Sequence, residues 1–242
     1  MIIVRVQSSA ASADHFAQTL FDLLDRVEYR RVDPSNADDP VYRLRYEAYR
    51  REQFVPFNPQ SVVRDEFDEL PNAYCFAIYI DGQMVSSLRL HVLTREFRES
   101  PSYSVFPDVL DPFLDKGETC IDPGRFTNDF EASLAFPALP FLAVRLPVLA
   151  ADHFDAKHGL ASVRPEHGPF CISEPRHYHG LTFPMQLWAC DVEAVREPVM
   201  RRYPFFASTE EERRRLFSNT EFARVKPRLR LSESLPGRRA LA

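Results

Sequence analysis

Apolar residues dominate two extended runs that flank Asp81-Gly82, one from Tyr74 to Ile80 and one from Gln83 to Leu93. Two such runs joined by Asp-Gly predict a β-hairpin, because a type I′ turn needs positive φ at both central residues. Counting outward predicts Ile80 opposite Gln83, Ile78 opposite Val85, Phe76 opposite Ser87 and Tyr74 opposite Arg89. Both faces are largely apolar, so both should be covered, as in the middle of a layered α/β domain. Arg89 and His91 are the polar exceptions, at the far end of the second run. A third extended run, Cys120 to Phe126, is interrupted by Pro123-Gly124. Proline removes a ladder donor and glycine weakens a strand, so this pair predicts a bulge or a splayed edge.

Helical periodicity surrounds that centre. Residues 13–27 place Phe16, Leu20, Leu23, Leu24 and Val27 on one stripe, and Tyr29 to Val32 reads as a short strand. Asp39-Pro40 is a matched helix start. The helix it opens runs to about Gln53, with Val41, Leu44 and Ala48 apolar and Tyr42, Arg45, Tyr46 and Tyr49 beside them. The two prolines of Phe54 to Gln60 exclude regular helix there. Arg95 to Pro112 and Asn128 to Pro140 read as irregular. Phe141 to His158 reads as a long apolar helix kinked at Pro147 and stopped by Lys157-His158-Gly159. Strands follow at Ala161 to Arg164 and Met185 to Val192, separated by a loop. Two helices close the chain, at Glu193 to Tyr203 and after the capping-box match Thr209-x-x-Glu212. The tail from Arg224 is basic and reads as loose. Helices alternating with strands around a central meander give a mixed α/β class. Without a repeat or a linker, residues 1–242 read as one domain. It carries an extra N-terminal helix (about 13–27) and a helical, basic C-terminal extension (about 193–242).

Composition narrows the function classes. The 242 residues are 45% hydrophobic, enough for a sizeable core. Only 7 glycines argue against a glycine-rich phosphate loop. A net charge of −5 gives no overall reason to expect nucleic acid or an anionic membrane. The N-terminus is too short in apolar residues for a signal sequence, and no run approaches a membrane span. Cys75 and Cys120 fall in apolar strands as reduced, buried thiols. A cytoplasmic, enzyme-sized domain is the default.

Four polar pieces recur around the hairpin: Arg45 with Tyr49, Asp65-x-x-Asp68, Arg89, and Asp122-x-x-Arg125. Three basic and three acidic groups would balance in one cleft, and shielded charges should pair. Separate surface charges are the plainer reading. His167, Cys171, His177 and His179 are zinc-ligand types, but their spacing matches no compact module. No Gly-x-Ser-x-Gly elbow is present.

The ordered set Arg-x-x-x-Tyr, Asp-x-x-Asp, Gly-x-x-x-x-x-x-Arg and acid-x-x-Arg-Phe resembles the autoinducer synthases that make acyl-homoserine lactones. It resembles still more their relatives, the long-chain N-acyl amino acid synthases, both of the GNAT superfamily. The resemblance covers roughly residues 28 to 190. The lactone synthases usually carry Glu-x-x-Arg and a tryptophan after the first arginine motif. Here Asp122-Pro-Gly-Arg125, Phe54 and Phe57 stand instead, which favours the amino acid synthases. The resemblance implies a GNAT-like acyl-CoA N-acyltransferase fold: a mostly antiparallel central sheet with splayed strands and flanking helices. A bulge amide would polarise the thioester carbonyl there. Asp122, with Glu118 behind it, would take the amine proton. Arg89 and Arg125 would bind the acceptor carboxylate or hold Asp65 and Asp68, with Arg45 and Phe126 completing the substrate-binding set. Phe141, Leu142, Leu146 and Leu149 would line an acyl channel or simply be core.

The resemblance also bears on the donor. Where acetyl-CoA-using relatives carry a glycine-bearing pyrophosphate loop, this chain has Arg125-Phe-Thr-Asn-Asp-Phe-Glu-Ala-Ser. Acyl carrier protein is therefore the expected donor and partner, with acyl-CoA second and no permanently bound cofactor. A basic docking face would come from Arg201, Arg202, Arg213 to Arg215, Lys226, Arg228 and Arg230. The acceptor would be a small-molecule amine, with no nucleic acid and no membrane span. The alternatives are an acyl-homoserine-lactone synthase and a non-catalytic GNAT-shaped binding module.

Overall fold

The computed structural model describes residues 10–167, 171–178 and 183–228. Its framework is a sheet of eight strands: β1 (Val27–Arg31), β2 (Ala73–Ile80), β3 (Gln83–Leu93), β4 (Cys120–Asn128), β5 (His158–Val163), β6 (Arg176–His177), β7 (Pro184–Asp191) and β8 (Arg224–Val225). Their order is β6-β7-β5-β4-β3-β2-β1-β8. Among the described residues only the β4–β5 pair is parallel; the other pairs are antiparallel. The helices are α1 (Ala10–Leu24), α2 (Pro40–Arg51), α3 (Pro101–Val105), α4 (Pro107–Leu114), α5 (Phe130–Ala135), α6 (Leu139–His153), α7 (Val192–Arg202) and α8 (Glu210–Leu216). The main core packs α1, α6 and the C-terminal segment on one face of the sheet, through Leu20, Leu142, Leu146 and Phe205 against Phe76, Leu88 and Leu90. On the other face Val41 and Tyr42 of α2 cover Cys75, Ala77 and Tyr79, and Phe106, Leu110 and Leu114 cover Leu93 and Cys120. No helix among the described residues is long and apolar enough to cross a membrane.

Several elements differ from the sequence expectation. Val27 opens β1 rather than ending α1. The stretch 95–112 is not irregular: it holds α3 and α4, each begun by proline, and Ser100 caps α3 through Tyr103 N. Residues 130–135 form α5, capped by Asp129. The long helix stops at His153, where Asp155 takes φ 50°. Lys157 and His158 then bond Thr119 O and start β5. Gly159 is not a helix stop. It lies in β5, where an added Cβ would come within 3.1 Å of Cys190 Sγ. The tail does not loosen at Arg224, because Arg224 and Val225 pair with β1.

The hairpin contains the most consequential correction. Asp81 and Gly82 have φ 51° and 82°, and Ile80 faces Gln83 as expected. Beyond Tyr79↔Met84 the register slips by one, so Ile78 faces Ser86, Phe76 faces Leu88 and Cys75 faces Arg89. A one-residue slip exchanges the faces of a strand. Unslipped, Ser87 and Arg89 would enter the core beside Phe76 and Tyr74, a costly burial. The bulge sends Leu88, Leu90 and Val92 into that core and turns Ser87, Arg89 and His91 toward the α2 side.

Strand β4 is broken in two ways. Its parallel ladder with β5 ends after Cys120↔His158 and Ile121↔Gly159, just before Pro123, which has no N–H to extend a ladder. Its antiparallel ladder with β3 continues through Pro123 and Gly124, then shifts between Arg89↔Gly124 and Ser87↔Thr127. The bulge therefore falls at Arg125-Phe126, just past the expected Pro-Gly, and Arg125 takes φ 52°. A non-glycine residue in that region is uncommon and marks a constrained position.

Candidate active site

The flipped face of β3 gathers an ionic ladder. Asp39 caps α2 and fixes where Arg45 emerges. Asp65 and Asp68 cap one short 3-10 turn reciprocally, which explains their spacing: Asp65 Oδ1 accepts from Phe67 N and Asp68 Oδ2 from Asp65 N. Arg45 Nη1 donates to both Asp68 oxygens at 2.8 and 3.0 Å, and its Nη2 to Cys75 Sγ. Arg89 Nη1 lies 3.0 Å from Asp68 Oδ1 and bonds Asp65 Oδ1 closely. Arg125 Nη2 donates to Asp65 Oδ2, and its guanidinium lies over the Tyr49 ring. Burial opposes the charge of Asp65, but hydrogen bonds and charge from Arg89 and Arg125 outweigh it and hold the carboxyl well below the usual range. Three arginines thus face two carboxylates, leaving one positive charge over. The side chains of Arg45 and Arg89 are 0% and 1% exposed, whereas that of Arg125 is 31% exposed, so the surplus faces outward there.

The third expected acid stands apart from this ladder. Asp122 does not pair with Arg125. It is buried on the same face of β4, where Oδ2 accepts from Ser100 Oγ (2.6 Å) and Ser102 N (3.2 Å), and Oδ1 from Ser102 Oγ (2.7 Å). Ser102 Oγ also lies 3.0 Å from Ser162 Oγ of β5 and 3.2 Å from Tyr178 Oη. Ser102 thereby bridges β4 and β5 immediately past the point where their backbone ladder ends. Glu118 is not brought into this group. It precedes β4 and bonds His158 Nε2 at 2.7 Å, a contact that lowers its pKa. Ser100, Ser102 and Tyr178 were missed in the sequence; Ser100-Pro101, a capping pair, was the signal that could have found α3.

His91, one step along β3 from this group, is buried with Nε2 on Phe67 O. Burial, reinforced by the Arg89 charge, pushes its imidazole down to about 4 from 6.5. The ring is therefore neutral in the folded protein near pH 7 and must charge in acid. Its stabilising contribution is full above pH 6.5 and lost as pH falls through 4. About 3 kcal/mol should disappear across that window. Denaturant titrations at stepped pH should show this slope in the natural protein and a shallower one in His91→Asn.

Across β4, on the opposite face, lies an apolar cavity of ≈ 740 Å³. Ile121, Pro123, Gly124 and Phe126 form its β4 wall, Gly159 to Ala161 and Trp188 the far side of the splay, and α6 and α7 its cover. The α6 stripe divides. Phe141 lines the cavity together with Val144, Pro147 and Val148, whereas Leu142, Leu146 and Leu149 are fully buried core. Of the basic residues in the C-terminal part, Arg213, Arg215 and Arg228 bond Ser208, Glu221 and Glu211, and Arg230 lies outside the described residues. So does His179, and among the described residues no three His, Cys, Asp or Glu side chains converge as a metal site.

Comparison with known proteins gives a family and a fold. Residues 40–191 match the family model described as N-acyl amino acid synthase FeeM. The structure of FeeM, an N-acyl amino acid synthase from uncultured soil microbes, superposes with a TM-score of 0.55 at 17% identity, covering 69% of this chain and 92% of that one. MesI, a CoA-dependent acyl-homoserine lactone synthase, gives 0.51 at 16% identity over 73% and 95%. BjaI, another CoA-dependent acyl-homoserine lactone synthase, gives 0.52 at 12% over 74% and 90%. At these identities the structural likeness is one of fold. No curated protein matches the sequence.

Proposed function

The chain belongs to the FeeM family of N-acyl amino acid synthases and is an acyltransferase of the GNAT type, and from that premise we propose that it moves a fatty acyl group from an acyl carrier protein thioester to the amine of an amino acid. One observation carries this reading: β4 divides an apolar cavity from an arginine-rich cluster, at the place where it parts from β5. The acyl chain lies in the cavity and the thioester in the splay. The ladder register skips Arg125 and Phe126, and their amides supply donors for the carbonyl oxygen as it gains charge. The acceptor carboxylate meets the outward surplus charge at Arg125. The amine attacks the thioester carbon, its proton passes to Asp122 directly or through one water, and the thiolate leaves. Asp122 Oδ1 accepts a single hydrogen bond from its serine cage, so a lone pair stays available for that proton. Arg45, Arg89, Asp65 and Asp68 hold Arg125 in place.

A carrier-protein donor is supported at α5. Asp129 caps its N-terminus through Ala132 N at 2.9 Å, and Glu131 sits in its first turn. A coenzyme A pyrophosphate placed there would meet two carboxylates instead of free amides. Such a donor places the reaction in the cytoplasm. Mass spectrometry of lipid extracts from expressing cells tests the assignment. New long-chain N-acyl amino acids are expected. Acyl-homoserine lactones would instead mark a lactone synthase, and no new acyl amide would mark a non-catalytic module. Arg125→Ala should raise the KM for the acceptor by about 10- to 100-fold, with a much smaller change in KM for the donor.

A further inference from the structure

An ion pair stands in the wall of the apolar cavity. Arg196 of α7 bonds Asp152 of α6 at 2.7 Å. The Asp152 side chain is 10% exposed, while that of Arg196 is 55% exposed and reaches it from outside. Together with Ala151 and Val192, this pair lines two spaces at once. On one side is the apolar cavity of ≈ 740 Å³. On the other is a polar cleft of ≈ 690 Å³, whose remaining walls include Glu118, Asp155, Lys157 and Glu193. These four shared residues are the partition between them. Asp152 and Arg196 are also the only charged residues lining the apolar cavity among those described.

We propose that the Asp152–Arg196 pair is the chain-length stop of the acyl site, admitting saturated chains up to a fixed number of carbons and rejecting longer ones. The proposal rests on the acyltransferase reading given above. Within the cavity each added methylene leaves water for an apolar wall, a gain of about fourfold in binding per carbon. At the partition that gain ends. A longer chain that continues in this direction must separate the ion pair and enter a cleft lined by charged groups. Separating the pair would strand Asp152, which burial already biases against its charged form and which Arg196 and Arg213 offset. The stop is thus electrostatic, and it stands on a half-exposed arginine rather than on core packing.

The stop is read from kcat/KM over a series of saturated acyl carrier protein thioesters rising in two-carbon steps. The natural protein should show a rise with length and then a sharp cutoff. In Arg196→Ala the cutoff should move to longer chains, with the ratio of the first rejected chain to the last accepted one rising at least about tenfold. Asp152→Asn together with Arg196→Met, which removes both charges and leaves no unpaired carboxylate, should shift it in the same direction and guards against loss of folding. An unchanged cutoff in both variants, or an equal loss for every chain length, would overturn the proposal. Calorimetric binding of the matching free fatty acids separates the two levels of the account. A binding cutoff that shifts in the variants without any acyl transfer would sink the enzymatic reading and keep the stop. Acyl transfer with an unmoved cutoff would do the reverse.

Discussion

Asp122→Asn is expected to lower kcat for acyl transfer by about two to four orders of magnitude, the range for losing a positioned proton acceptor. Asparagine keeps the size of the side chain and one oxygen for the Ser102 or Ser100 hydroxyl, but it has no site for the amine proton. Binding of the acyl chain should change by less than about threefold, because the Asp122 side chain lies on the opposite face of β4 and does not line the cavity. The drop should therefore appear in kcat with little change in donor KM. The split between kcat and donor KM separates this role from a merely structural one. Ser102→Ala supplies a graded comparison. It removes one donor to Asp122 and the bridge to Ser162 of β5, so it should lower kcat by less than Asp122→Asn does. Equal kcat in Asp122→Asn and the natural protein would leave Asp122 as a strand-end residue held by serines.

The largest expected loss of stability lies far from that site. Arg145 of α6 and Glu212 of α8 are both 0% exposed in their side chains and meet at 2.5 and 3.0 Å. Arg145 also donates to Phe205 O and Ala207 O, and Glu212 Oε2 accepts from Arg228 N. This knot ties the C-terminal segment to the cavity helix. Glu212→Ala leaves a buried guanidinium without its counter-charge and should destabilise the fold by about 3–5 kcal/mol. For a chain of this size that lowers Tm by roughly 10 °C. Replacing both partners, Arg145→Met with Glu212→Leu, should recover most of the loss, since a well-packed apolar pair often matches a buried ion pair. Thermal melts of the three proteins decide it. A double variant no more stable than Glu212→Ala would show that the backbone contacts of Arg145, and not the charge pair, hold the segment.

How much of this was legible in the sequence depended on the range of the interaction involved. The Asp81-Gly82 turn, the Asp39-Pro40 start and the Thr209 cap were local signals, and each element formed where they placed it. The faces of β3 were not local. They turned on one extra residue near Val85, whose value lies in keeping Arg89 out of a core contributed by α1 and α6. Lys157-His158-Gly159 read as a helix stop because basic residues before glycine usually are one. The glycine was needed instead for close packing on Cys190, a contact between strands about thirty residues apart. In the site, the arginine and aspartate motifs were visible by spacing, and the structure joins Arg45, Asp65, Asp68, Arg89 and Arg125 in one ladder. The partners of Asp122 were not visible, since Ser100 and Ser102 come from a segment without hydrophobic periodicity. The cavity was half visible: Phe141 belongs to it, but its neighbours on the helix stripe are core.

The central claim is that a fatty thioester and an amino acid meet across β4. The most direct measurement incubates the purified protein with an acyl carrier protein thioester and a pool of nitrogen-15 amino acids, then follows free carrier thiol and labelled products by mass spectrometry. A labelled N-acyl amino acid should appear one for one with released thiol, fall by at least about a hundredfold in rate in Asp122→Asn and diminish in Arg125→Ala. Thiol release without any labelled amide, or an amide formed equally well by both variants, would contradict it.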